Sequence, residues 1–138
     1  MDWQTSRYST PVLDLLYYIF SSTDIKMREQ SYDNFIQIYH KSLTSYLDRL
    51  GGDASRQFPM TALLRQLKTY GQFALGITIF LIPLLCDEDN TNIDIEQFTD
   101  EMKKDPKLIE QIIIEQNHTK YNIRMNGIIR DIIRLGYL

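Results

Sequence analysis

The chain has 138 residues, a net charge of −3, and hydrophobic and aromatic shares of 43% and 12%. That length makes one domain or part of one, and that apolar share excludes wholesale disorder. The pI near 5.3 argues against nucleic acid as the main partner, and a lone cysteine, Cys86, cannot form an internal disulfide.

Pro11 opens the first predicted helix, because its missing N–H would be unpaired in a first turn anyway. Val12, Leu13, Leu15, Leu16, Ile19 and Phe20 make it largely apolar to Ser21, with Asp14 as its one charge. Ser22, Thr23 and Asp24 then supply side chains able to cap a new helix. The clearest periodicity follows in Tyr32, Phe35, Ile36, Tyr39, Leu43, Tyr46, Leu47 and Leu50. These large side chains fall on one stripe, and Gly51-Gly52 is the expected C-terminal cap. Ile25 lies on the same face, so the helix can start as early as Asp24.

Phe58-Pro59 opens a third helical stretch. Met60, Leu63, Leu64 and Leu67 make its first half amphipathic, after which it turns apolar all round and should enter the core. The apolar run Phe73–Cys86 is shorter than the ~20 residues of a membrane span and is interrupted by Gly76 and Pro83. A buried core helix is therefore expected there, with no membrane span. Residues 87–101 carry seven Asp or Glu and no Lys or Arg, and read as a solvated loop or weak helix. Asp105-Pro106 restarts a helix with Leu108, Ile109, Ile112 and Ile113 on one side. A polar break at 117–122 precedes a last helix bearing Met125, Ile128, Ile129, Ile132 and Ile133, closed by Gly136. No strand pattern persists, so the fold class is all-α, with five or so helices.

Few motifs carry chemistry. Counted as a calcium loop from Asp87, position six is Asn92 instead of Gly and position twelve is Phe98 instead of Glu, so a solvated acidic loop is the better reading. His40 and His118, with one cysteine, give no zinc spacing. His40 is expected half-buried beside its helix stripe, and Cys86 is expected to be an inert core thiol. No phosphate-binding glycine loop and no Gly-x-Ser-x-Gly elbow occurs. The start shows no basic-then-apolar leader, so a cytoplasmic setting is expected and the sequon at Asn117 should stay unmodified. Asp2, by itself, reads as a terminal carboxylate. Asp14 within an apolar helix must hydrogen-bond, pair or face solvent, which suits a structural anchor more than a catalyst.

Asp2-Trp3-Gln4 followed by Pro11-Val-Leu-Asp14-Leu-Leu-Tyr-Tyr-Ile-Phe-Ser-Ser-Thr-Asp24 resembles the ecdysteroid-kinase-like family of insects. That family, also called CHK-kinase-like, is related to choline kinases and aminoglycoside phosphotransferases. The resemblance continues through Tyr39-His40-Lys-Ser-Leu43, Leu50-Gly51, Phe58-Pro59 and Leu67-Lys68-x-Tyr70-Gly71 to Arg130-Asp131-x-x-x-x-Leu135-Gly136-Tyr137.

The resemblance implies that residues 1–138 are the C-terminal part of a kinase-like domain, a helical subdomain without the nucleotide-binding lobe or the catalytic loop. It gives Asp2 the role of the Mg²⁺ ligand that faces the ATP phosphates, and Asp14 that of an anchor bracing the catalytic loop. Pro11-Val-Leu-Asp14 lacks the first Asp of the related Asp-Pro-x-x-Asp-Leu pattern, and Met1 stands where an aliphatic strand residue is usual. The catalytic base and the phosphate-holding Lys of the family would lie upstream. The expected function is therefore the C-terminal part of an O-kinase that phosphorylates an ecdysteroid or other lipophilic alcohol with Mg²⁺ and ATP, inactive alone and holding no cofactor alone. The aromatic and aliphatic faces of Pro11–Ser21 and Phe58–Cys86 are the expected acceptor walls. The alternative is a non-catalytic helical interaction protein that associates through apolar surface near Tyr8 to Leu16. Membrane association through Phe73–Cys86 is a weaker option.

Overall fold

The computed structural model describes residues 8–86, 100, 101, 103–105, 107 and 118–138. The Asp2-Trp3-Gln4 motif, the calcium-like stretch from Asp87 and the helix expected around Leu108–Ile113 lie outside the described residues. Those that are described form helices and short connections, in keeping with the all-α reading.

α1 spans Pro11–Ser22, with Thr10 as its N-cap: the Thr10 hydroxyl accepts from the Val12 N–H at 3.3 Å. Thr10 also donates to the Gln66 side chain, which ties the start of α1 to a distant segment. Val12, Leu15, Leu16, Ile19 and Phe20 recur at helical spacing and are all buried. Each contributes on the order of 1.5–3 kcal/mol by leaving water. Asp14 lies on the opposite, exposed side, so of the three outcomes open to its carboxylate it faces solvent.

α2 runs Ile25–Arg49 and starts where the capping chemistry places it, with the Asp24 carboxylate accepting from Met27 N–H at 2.7 Å. It ends in a Schellman motif. Gly51 adopts φ +78°, its N–H bonds Asp48 O at 3.0 Å, and Gly52 N–H bonds Leu47 O at 3.0 Å. Only part of the apolar stripe is covered. Tyr32 and Ile36 are buried, whereas Tyr46 and Leu50 are exposed. The same helix buries Arg28, a residue the hydrophobic pattern passes over.

A one-turn helix, α3 (Ala54–Gln57), intervenes before α4 (Met60–Tyr70). The expected single stretch from Phe58 is divided: Gly71 separates α4 from α5, which spans Gln72–Cys86. A Cβ at Gly71 would lie 2.3 Å from Cγ of Tyr137, so this corner admits only glycine while Tyr137 keeps its place. α5 continues through Pro83, although proline removes the N–H that would bond the Ile79 carbonyl. It is also not covered all round. Ala74, Thr78, Leu81, Ile82 and Cys86 are buried, while Ile79 and Leu85 face outward. The Thr78 hydroxyl is satisfied within the helix by Ala74 O at 2.6 Å.

α6 spans His118–Arg134, so the polar stretch expected to be a break lies mostly inside its first turns. Met125, Ile128 and Ile132 are buried, but Ile129 and Ile133 are partly or largely exposed. Gly136, at φ +67°, closes a second Schellman motif, with Tyr137 N–H on Ile132 O and Gly136 N–H on Ile133 O. That left-handed residue sends Tyr137 back into the core, against Gly71 and Tyr32.

The helices share one apolar core. α1 packs on α4 and α5, α5 on α6, and α2 on α6 and α3. Among the described residues no helix is long and apolar enough to cross a membrane.

Candidate functional site

Two features meet at the α1–α2 corner, where Thr23 takes part in both. The first is a buried polar cluster. Arg28 of α2 donates from Nε to Oδ2 of Asp131 on α6 at 2.6 Å, and both side chains are almost wholly buried. The other Asp131 oxygen accepts from Arg134 Nη2 at 2.8 Å. Arg28 also reaches the Thr23 carbonyl and lies 5.2 Å from the centroid of the Phe20 ring. From α6, Arg124 donates to the Ser21 carbonyl at 2.8 Å. α1 has no basic residue in its last turn. Its C-terminal carbonyls, the negative end of the helix dipole, therefore take positive partners from two other helices.

Beside this cluster the Tyr32 and Tyr137 hydroxyls bond each other. Burial is the main reason both phenols are pushed above their ordinary value, and for Tyr32 the neighbouring Tyr137 adds to the effect. His40 also has a structural partner, its Nε2 lying 3.0 Å from the Phe58 carbonyl. That agrees with a half-buried polar residue. Cys86 is buried, as expected of a core thiol.

The second feature is a groove of about 470 Å³ between α1 and α2. Leu15, Tyr18 and Ile19 form one wall, Phe35, Ile38 and Tyr39 the other, and Met27 lies at the corner. Ser22, Thr23 and Ser42 supply its polar edge, and among the described residues no charged side chain lines it. Tyr18 is 67% exposed and Ile38 56% exposed at its rim, while Leu15 and Ile19 are buried beneath them. Burial, with a smaller contribution from the Asp14 carboxylate, pushes the Tyr39 phenol above its ordinary value. At neutral pH its hydroxyl is protonated and can donate. A concave, mainly apolar site with a few hydroxyls suits a neutral organic ligand.

The α1 face lines this groove opposite α2, and no described residue of Phe58–Cys86 is among its lining. In the sequence, Tyr39 belongs to the apolar stripe of α2 and, with Ser42, to the Tyr39-His40-Lys-Ser-Leu43 run. Their position opposite α1 depends on the turn at Thr23, which hydrophobic periodicity does not specify.

Asp14 is brought near Tyr39, while Asp2 lies outside the described residues. Among the described residues no group of three His, Cys, Asp or Glu side chains could hold a metal ion.

Residues 1–52 match the model of the ecdysteroid kinase-like family. No curated protein and no solved structure gives a significant match. The matched segment holds α1, α2 with its glycine cap, and every residue that lines the groove. Over residues 1–52, then, the chain is similar to the ecdysteroid kinase-like family.

Proposed function

We propose that the 138 residues are the helical C-terminal part of a cytoplasmic small-molecule O-kinase, and that the α1–α2 groove forms part of the wall for its acceptor, an ecdysteroid or another lipophilic alcohol. The observation that carries this reading is a coincidence in position: the uncharged groove falls wholly within the segment that matches the kinase-like family. Leu15, Ile19, Met27, Phe35 and Ile38 would cover a hydrocarbon skeleton, with Tyr39 and Ser42 giving hydroxyl contacts at its edge. Asp2 is assigned as a magnesium ligand and Asp14 as the brace of the catalytic loop. Magnesium, when bound, offsets charge on the phosphates during transfer. The motifs within these 138 residues offer Asp2 as the one candidate ligand and no candidate base, so phosphoryl transfer is assigned to the complete enzyme.

Two measurements on the purified chain test this reading. Titration with an ecdysteroid, followed by calorimetry, should show saturable binding, and no heat at any accessible concentration would remove the acceptor-wall assignment. Incubation with ATP, magnesium and the same alcohol should give no turnover, and magnesium-dependent turnover would show that the chain is competent alone.

The exposure of Tyr17, Tyr18 and Ile38 also favours a second reading, a non-catalytic helical interaction protein. Concentration-dependent association that is unaffected by ecdysteroid would favour it over the acceptor wall.

A further inference from the structure

We draw no further inference here: the strongest candidate, the apolar groove between α1 and α2, belongs to the site already described, and nothing else in the structure shows what covers it.

Discussion

The N-terminal half of α2 and the stretch that lines the groove are built on different principles. Towards α6 it presents Arg28 and Tyr32, both buried, with partners at Asp131, Thr23 and Tyr137. Towards the groove it presents Phe35, Ile38 and Tyr39, which are apolar or aromatic and incompletely covered. Most of α2 follows the usual pattern, with Tyr32 and Ile36 inside and Lys26, Glu29, Asp33 and Lys41 outside. Arg28 is its one buried charge, and part of its apolar surface is left available. The family match covers the groove in full but only one partner of the buried pair, since Asp131 and Tyr137 lie beyond residue 52. The later helices pack against the matched segment, α4 and α5 on α1 and α6 on α2.

The largest effect should come from breaking the sealed side. Asp131→Ala leaves the Arg28 guanidinium buried without its carboxylate, a change that costs about 3–5 kcal/mol. A loss of that size is a large share of the stability of an ordinary domain. Urea unfolding followed by circular dichroism measures it. The paired variant Arg28→Met with Asp131→Leu should recover most of the loss, because no buried charge then remains unpaired. If the single and double variants are equally destabilised, the electrostatic account of this side is wrong.

Gly71 gives the next effect. Alanine there would place a Cβ 2.3 Å from Tyr137 Cγ, and the ring must leave or the α4–α5 corner must open. Overpacking of this kind costs roughly 1–3 kcal/mol, measured as a lower urea midpoint. Gly76→Ala is the control, because a Cβ there meets nothing within 4 Å. It should be neutral or slightly stabilising, as expected for glycine replaced inside a helix.

The tyrosine pair should produce an effect of similar size that depends on pH. Tyr137→Phe leaves the Tyr32 hydroxyl buried without its partner, at a cost of about 1–3 kcal/mol, whereas removing both hydroxyls should be nearly neutral. Both phenols have folded-state pKa values raised above the ordinary 10.0. Above that pH the unfolded chain releases these protons while the folded chain keeps them. The pair's contribution is therefore complete below pH 10 and declines as pH rises beyond it. Stability curves from pH 8 to 11 should fall more steeply for the native chain than for the double phenylalanine variant.

These contrasts also mark what could be read in advance. α1 was legible to within a residue at its end because Pro11, the core side chains and the stop-and-restart run Ser22–Asp24 bracket it. The end of α2 was legible because paired glycines after an apolar stripe make a Schellman motif. The Gly71 break was not, since it depends on Tyr137, a residue far along the chain. Arg28 and Asp131 were missed for a similar reason: each is ordinary on its own helix, and burial becomes tolerable only when the other arrives from 103 residues away. The groove was half legible. Its α1 wall followed from the aromatic and aliphatic run, but pairing that wall with α2 required the three-dimensional turn at Thr23.

The open side should respond least in stability and most in binding. Ser42 lines the groove and is exposed, so Ser42→Trp can fill part of the space without entering the core. A surface change of this kind alters stability by no more than about 0.5 kcal/mol. If the groove holds the acceptor, the same indole occupies volume the ligand needs, and ecdysteroid affinity should fall at least tenfold by calorimetry. Asp131→Ala makes the reciprocal comparison, because it should lower stability before it changes any contact in the groove. Loss of ecdysteroid binding in Ser42→Trp, with its urea midpoint unchanged, would assign stability to one side of α2 and recognition to the other. Unchanged binding in that variant would place the acceptor elsewhere and leave the groove's exposed aromatic walls to the interaction-protein reading.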